Sequence, residues 1–525
     1  MPEPAASGSS PIPSAGSAAP SAGSAAPSAD VAAPTIAGDA STIAGDAQAD
    51  AQGATLAPRT VGLVLAAGSG TRFGPEPSAK LLAPFLGRPL VEHVVGLAAA
   101  AGLGGLVVVL GRGAAALEGA VDWHGADLVR NPEPERGLAS SLRLGVEAIR
   151  TRYPAAEAIL VFLADQPTLR SDVVAAILAE AARSDRPVLV PRYAEGGGPN
   201  PVLVRRPAWD LVDATSGDRG LGPLLAARPE LVAEASVPGA NPDVDTPLDL
   251  VLLEWAERVR RNREQVDRFR EVPDGPDFYG PVSSLFRSDP RRTDDPVLDA
   301  LLAVARPTDR WLDIGAGAGR FALPLALRVR EVVALDPSPG MLAALREEMA
   351  AHGITNVRPI EARWPLDDPA RLAELRSDVA LIAHLGYDIE AIGPFVTAME
   401  AAAGRLCVAV LMERQPSAVA DAFWPPIHGE ARVALPALAD FLRLLEAMGR
   451  AFEVERFPRP PRGFDSLDQL LAFLRRQLWV AEGGEKDRRL VALVGERAVE
   501  RDGRWFVDER TVATGVVSWR PPAAA

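Results

Sequence analysis

Two glycine-rich stretches, each directly behind an apolar run, hold the residues best suited to chemistry in this 525-residue chain. The first is LAAGSGTRFG, residues 65–74, with Lys80 a short way downstream. Glycines after a strand leave backbone N–H groups free to wrap a polyphosphate that bulkier side chains would keep away. Arg72 and Lys80 add the positive charge that a triphosphate and a departing pyrophosphate need. Asp165 ends the run AILVFLA and is followed by Gln166 and Pro167. A carboxylate at that point faces the loop, where Mg²⁺ belongs. Asp245, in NPDVDTPLDL, is a second acid on a late loop. The two carboxylates could hold a metal that neutralises charge at an α-phosphorus during in-line attack. Plainer readings stand beside this one: a mere glycine turn, a helix cap at Asp245, and a surface position for Asp249.

The second stretch is WLDIGAGAGRF, residues 311–321. Asp313, Gly315, Gly317 and Gly319 form D-x-G-x-G-x-G, tighter than the G-x-G-x-x-G dinucleotide fingerprint. That spacing suits a nucleoside without a pyrophosphate. Asp336 ends the next strand, where a carboxylate can accept both ribose hydroxyls.

These loops need strands to aim them. From Thr60 onward, short apolar runs alternate with stretches of helical spacing: VGLVLAA, LVEHVVGLAAAAG, LGGLVVVLG, LASSLRLGVEAIRTRY, AILVFLAD, VVAAILAEAARS. A second alternation starts at VLDALLAVAR and RWLDIG and continues through EVVALD, GMLAALREEMAAHG, DVALIAHL and RLCVAVLMER. The pattern predicts two doubly wound, Rossmann-like α/β domains in tandem, with ligands at the carboxyl ends of parallel strands. Met341 and Leu342 sit at core spacing. The last pair of runs, RWFVDER and TGVVSWR, reads as a hairpin at a sheet edge. The predicted organisation is a tail over 1–58, a first domain over 59–253, a charged helical linker over 254–275 with a solvated face, and a second domain over 276–525.

The tail repeats PSAGSAA and TIAGDA without an apolar stripe, a composition that cannot bury a core and predicts disorder. A net charge of −14 argues against broad nucleic-acid or membrane-surface binding. The single cysteine, Cys407, lies in an apolar run and reads as core filler, which fits a reducing, cytoplasmic setting. No stretch is apolar enough to span a bilayer, and the N-terminus lacks a secretory pattern.

The ordered motifs LAAGSGTRFG, Lys80, NPEPERGLASSLRLG, LADQP, GGGPNPVLV, GDRGLGPLL and DVDTPLDL resemble the MobA-like nucleotidyltransferase family over residues 60 to about 252, and within it the molybdenum cofactor cytidylyltransferase branch. The resemblance implies triphosphate binding by Gly68, Ser69, Gly70, Arg72 and Lys80, and a metal at Asp165. It places base and acceptor recognition around Asn131, Gly137 and Ser141. The Leu-Ala-Ala-Gly loop is that of the cytidylyl branch. The methyl group of Ala67 would narrow the room for a purine, so CTP is favoured over GTP. The implied acceptor is a phosphorylated cofactor such as molybdopterin. A sugar phosphate or another coenzyme phosphate stays open, because PEPS lengthens the turn before Lys80 and Asn200 stands where that branch often carries His.

Residues from about 276 to 525 resemble the class I S-adenosylmethionine-dependent methyltransferases. The resemblance implies that Gly315, Gly317 and Gly319 pack on the methionine part and that Asp336 holds the ribose, with Asp313 of the same motif a further cofactor-binding candidate. EARWPL falls where such enzymes contact adenine, which makes Glu361, Ala362 and Trp364 candidates, with a core role for Trp364 as the alternative. His384, Tyr387 and Asp388 lie near the methyl group in such a fold. His384 is a candidate general base or a packing residue. The stretches FYGPVSSLFR and SLDQLLAFLRRQLW could cover the site. Motifs of nucleobase methylases are missing, so a small-molecule acceptor is expected. The partners implied are small-molecule substrates, with no nucleic acid and no membrane, and a cofactor-receiving enzyme as the one protein partner. The competing reading makes the second domain a regulatory binding module.

Overall fold

The computed structural model describes residues 56–523 apart from 216, 274, 276 and 509. The expected tail over 1–58 therefore lies outside the described residues as far as residue 55. Its last positions belong to the first domain, because Leu56 is buried and its carbonyl accepts from Thr60 Oγ1 at 3.0 Å.

The first sheet contains β1 (Thr60–Ala66), β2 (Gly105–Leu110), β3 (Asp127–Arg130), β4 (Ala158–Leu163), β5 (Val188–Tyr193), β6 (Val202–Arg205) and β7 (Val232–Val237) in the order β3-β2-β1-β4-β6-β5-β7. Every residue of β1 is buried, as a central strand covered on both faces requires. Helices α1 (Leu90–Ala100), α2 (Leu138–Arg152) and α3 (Ser171–Arg183) pack on the two faces. One strand departs from the expected parallel arrangement: β6 runs antiparallel to both β4 and β5. The connection from Tyr193 to Val202 is too short for a helical crossover, so the chain turns straight back.

The second sheet contains β8 (Arg310–Ile314), β9 (Glu331–Asp336), β10 (Val357–Glu361), β11 (Ser377–Ala383), β12 (Ala403–Met412), β13 (Phe452–Arg459) and β14 (Val512–Trp519) in the order β10-β9-β8-β11-β12-β14-β13. The expected terminal hairpin does not form. Arg504–Phe506 pairs with Val499–Arg501, while β14 inserts antiparallel between β12 and β13. Val516, Val517 and Trp519 are buried, so this last strand carries apolar groups for both faces and suits an interior position.

The charged segment between the sheets is part of a longer helix, α4 (Pro247–Phe269). Its face is not solvated all round. Leu250 enters the first core, Trp255 and Val259 the core of the second sheet, and Val266 a third apolar cluster. Trp255 Nε1 donates to Ile389 O at 2.9 Å, and Arg258 Nη1 meets Asp440 at 2.7 Å. The apolar residues recur at helical spacing within a charged background, so a stripe is present where composition suggests none. The described residues accordingly fall within one compact unit.

Two consequences are measurable. A chain cut to residues 272–525 lacks Trp255, Val259 and Val266 and should not fold cooperatively, whereas one starting at residue 246 should. Trp255→Ala in the full chain should lower stability by about 3–5 kcal/mol. Denaturant unfolding checks both, and a cooperative transition in the shorter fragment would refute the role of α4.

Candidate active sites

The first site gathers at the carboxyl ends of β1, β3 and β4, beside the turn into α4. Gly70 and Gly74 adopt φ of +54° and +135°, which favours glycine. A Cβ on Gly70 would come to 3.0 Å from Lys80 Cβ, so the bare loop lets Lys80 pack across it, and Gly68 faces open space. Lys80 Nζ donates to Asp165 Oδ2 at 2.7 Å and to Asp245 Oδ1 at 3.2 Å. Arg72 Nη1 stands 3.8 Å from Asp245 Oδ2. The structure thus brings Arg72, Lys80, Asp165 and Asp245 together from four separate segments.

Asp245 is not the helix cap. Thr246 Oγ1 accepts from Asp249 N at 3.1 Å, while Asp249 Oδ2 accepts from Thr246 N at 2.8 Å and Asp245 N at 3.1 Å. This reciprocal capping box leaves the Asp245 carboxylate free to face Lys80. It also corrects the reading of Asp249 as a surface residue.

A third acid, Asp243, escaped the sequence reading. Burial, then the charge of Asp165, raises its carboxyl above the usual range. Gln166 Nε2 donates to Asp243 Oδ1 at 2.8 Å, and Asn241 Nδ2 donates to Gln166 Oε1 at 2.9 Å. This relay stitches the late loop to the end of β4, and Val244 N adds a bond to Asp165 O at 2.9 Å. Only tertiary pairing identifies Asp243, since DVD by itself resembles any acidic turn.

Asn131, Gly137 and Ser141 also meet, but as a scaffold. Asn131 Nδ2 donates to Ser140 Oγ and Ser141 Oγ at 2.9 Å each, and Asn131 Oδ1 accepts from Glu133 N at 3.0 Å. Asn131 and Ser141 are buried, and these polar atoms are engaged with each other. Gly137 has φ +88°, and a Cβ there would come within 2.4 Å of Asp218 Oδ1. Ala67 departs from expectation more clearly. It is buried in the apolar cluster under the loop, so its methyl group does not stand free to crowd a base.

The second site lies at the carboxyl ends of β8 and β9. Gly315, Gly317 and Gly319 have φ of +76°, +54° and +88°. Added Cβ atoms would collide with Leu385 at Gly315 and with Leu345 at Gly319, whereas Gly317 keeps its nearest neighbour at 3.9 Å. Asp336 clamps this loop. Its Oδ2 accepts from Gly317 N and its Oδ1 from Ser338 N, both at 2.8 Å. Each carboxylate oxygen retains a lone pair for a hydroxyl. Burial raises the Asp336 carboxyl, against the two N–H donors that favour the anion. Asp313, fully enclosed behind the loop, is pushed up to about 7 by burial and by the charge of Asp336.

Asp277 is the second residue that sequence reading missed. It accepts from Ser338 Oγ at 2.8 Å, Gly340 N at 2.9 Å and Gly280 N at 2.9 Å. Burial alone would raise its carboxyl, but these donors outweigh it and hold it below the ordinary value. The bonds pin the segment Gly280–Phe286 across the start of helix α5 (Pro339–His352), next to Asp336. Phe278 stacks 5.6 Å from Trp479, under the guanidinium of Arg476 at 4.0 Å. The two stretches expected to cover the site therefore touch.

Several candidates beyond the loop have structural duties. Trp364 is buried in the core, with Nε1 donating to Phe395 O at 3.3 Å. Tyr387 Oη accepts from Met412 N at 2.7 Å. Glu361 is exposed beside Asp336, its register partner. His384, at φ +55°, has its pKa pushed down to about 3 by burial, then by Arg459 and Arg320. Such an imidazole stays neutral and takes up protons poorly, which corrects the general-base expectation. Cys407 is buried in the core, as expected.

Two ligand loops, each after a central parallel strand, define a tandem α/β transferase. The chain belongs to the MobA-like NTP transferase family. The family description "MobA-like NTP transferase domain" matches residues 62–232, and "Methyltransferase domain" matches residues 312–390. It is an enzyme with nucleotidyltransferase and methyltransferase domains. Over 205 residues it is 33% identical to the nicotine blue oxidoreductase of Paenarthrobacter nicotinovorans, covering 37% of this chain and 96% of that protein. It is 44% identical over 54 residues to the 23S rRNA (uracil(1939)-C(5))-methyltransferase RlmD of Xanthomonas campestris pv. campestris, 10% of this chain and 12% of that protein. The structure of Rv0371C of Mycobacterium tuberculosis H37Rv in complex with manganese is 28% identical and covers 36% of this chain and 95% of that one, with a TM-score of 0.31. No helix among the described residues is long and apolar enough to cross a membrane.

Asp313 makes stability depend on pH. Its raised pKa means that the protonated form favours the fold. That contribution is complete below the unfolded value near 3.8 and is lost as pH rises through about 7. Asp313→Asn should lie closest to the wild type at or below about pH 4 and melt progressively higher than it as pH rises to about 8. Calorimetric melting across that range checks this, and a difference independent of pH would refute the buried neutral carboxyl.

Proposed function

We propose that the first domain transfers a nucleotidyl group from a nucleoside triphosphate to a phosphorylated small molecule, with the aid of a divalent cation. The observation that carries this reading is the convergence of Asp165 and Asp245 on Lys80 Nζ. Among the described residues no group of three or more His, Cys, Asp or Glu forms a metal cage. A Mg²⁺ site of the kind that uses one or two carboxylates plus substrate phosphates fits this donor set. Asp165 and Asp245 would hold the ion, which would supply charge neutralisation at the α-phosphorus. The loop around Gly68 and Gly70 offers backbone N–H groups to the phosphates. Lys80 and Arg72 answer the charge of the departing pyrophosphate. An oxygen of the acceptor phosphate attacks the α-phosphorus, and the bond to the bridging oxygen of pyrophosphate breaks.

The family resemblance favours CTP and a cofactor phosphate such as molybdopterin, with GTP or a sugar phosphate as the alternative. The steric argument from Ala67 no longer supports the choice. The whole-length similarity to an oxidoreductase favours a second reading, in which this domain carries out a redox step. Pyrophosphate release with each triphosphate, Mg²⁺ and candidate acceptor phosphates separates the two. Asp165→Asn should abolish release, because Asn keeps the shape and loses the charge. Release at the wild-type rate in that variant would end the metal assignment. Consumption of a reduced nicotinamide nucleotide without any release would transfer the domain to the redox reading.

We infer that the second domain binds S-adenosylmethionine and methylates a small molecule. The net charge of −14 and the glycine loop clamped by Asp336 support this. Asp336→Ala in the full chain should weaken S-adenosylmethionine by about tenfold or more, the equivalent of one charge-assisted hydrogen bond. Asp336→Asn should be no milder, because its amide would oppose the N–H of Gly317 or Ser338. Isothermal titration decides it, and equal affinity in all three proteins would place the ribose elsewhere. Binding without turnover on any acceptor would favour a regulatory module.

A further inference from the structure

Outside the two ligand loops, one cluster at the carboxyl edge of the second sheet has no assigned task. Phe321 lies just past the glycine loop and is buried. The guanidinium carbons of Arg292 and Arg320 stand 5.7 and 5.5 Å from its ring, and the half-buried ring of His384 is 6.5 Å away. Arg459 ends β13 at the same edge, where its Nη1 reaches only the sulfur of Met412, at 3.7 Å. The cluster contains one acid. Asp295 Oδ2 serves Arg292 Nε at 3.0 Å and Arg320 Nη2 at 3.2 Å. Two guanidiniums thus share one carboxylate.

The polar bookkeeping is also incomplete. Arg292 Nη2 and His384 Nδ1 are buried and have no hydrogen-bond partner. An unsatisfied buried donor is destabilising, more so when charged, and such groups call for an explanation. Arg459 has no carboxylate within ion-pair distance among the described residues. The charges press on one another: Arg459 and Arg320 both depress His384, and burial, Arg292 and Arg459 lower Arg320. Arg320 remains 47% exposed, so the cluster can be reached from solvent.

Its place in the sheet narrows the ligand. The glycine loop and Asp336 occupy the ends of β8 and β9. The cluster extends from the end of β8 to the ends of β11, β12 and β13, on the opposite side from β9 and β10. That side is left for the second substrate. We propose that the cluster of Arg292, Arg320, Arg459 and His384 binds an anionic group, a carboxylate or phosphate, of the methyl acceptor. The anion takes charge-assisted hydrogen bonds from Arg459 and from the free N–H of Arg292, and the neutral imidazole of His384 adds one donor without adding charge. The acceptor is therefore an acidic small molecule, oriented by its anion so that another of its atoms faces the methyl group. This inference rests on the reading of the second domain as a methyltransferase with a separate cofactor side.

The test uses the full chain and two probes, citrate and inorganic phosphate, titrated calorimetrically with and without S-adenosylhomocysteine. Wild type, Arg459→Gln, Arg459→Lys and Lys80→Ala are compared, the last to subtract anion binding at the first site. Citrate should bind the wild type and Lys80→Ala alike, bind Arg459→Gln about tenfold or more weakly, and recover part of its affinity in Arg459→Lys. S-adenosylhomocysteine should bind Arg459→Gln as it binds the wild type. Anion binding that survives Arg459→Gln, or that disappears with Lys80, overturns the proposal. A tenfold loss of S-adenosylhomocysteine in Arg459→Gln also overturns it, by giving the cluster to the cofactor's own carboxylate. Should the wild type bind citrate through Arg459 but not S-adenosylhomocysteine, the cofactor reading fails while the anion site stands.

Discussion

Helix α4 is the element on which the rest of the molecule depends. Its first turn is locked by the Thr246–Asp249 capping box, and the same box presents Asp245 to Lys80. One turn later Leu250 enters the first core, and Trp255 and Val259 enter the second. A helix resists bending, so one rigid rod fixes the late acidic loop of the first site and the segment around Ile389 of the second. That segment follows His384 and Tyr387. The two sites therefore share a structural support without sharing a residue.

Around that support, buried charge sets the character of each site. In the first, Asp165 and Asp245 face one ammonium, while Asp243 is held back by burial and by its neighbours. The excess of carboxylate is what a divalent cation would balance. In the second, Asp313 and Asp336 sit close together with no basic partner among the described residues, and the desolvated pair resists ionisation. Backbone N–H groups do the work that a cation does in the first site. Further along the same edge the sign reverses, and guanidiniums outnumber acids around Phe321. Opposite potentials thus lie along one sheet edge, the separation that a cationic cofactor and the proposed acidic acceptor would need.

Legibility varied with the range of the interaction. Glycine positions were readable, because a positive φ or a close approach leaves few alternatives, as at Gly70, Gly317 and Gly319. Strand ends carrying Asp165 and Asp336 were readable for the same local reason. Asp243 and Asp277 were not, since their meaning comes from partners far along the chain, Gln166 and Ser338. Ala67 and His384 were read by analogy, and burial changed both. One methyl group turned inward to the core, and one imidazole lost its basicity to desolvation and to neighbouring guanidiniums.

Composition and periodicity were enough to determine two α/β units, the places of their ligand loops and a net acidic charge. These follow from local sterics and from apolar spacing, which act within a few residues. Tertiary structure alone decided that a charged helix would be shared core, that the last strand would lie inside the sheet, and which acids would meet one lysine. Apolar contacts and ion pairs between distant segments carry no sign in the chain until the backbone brings them within a few ångströms, where burial and Coulomb terms take their full size. The stripe of Trp255, Val259 and Val266 was present in the sequence throughout, and only the two cores it enters gave it meaning.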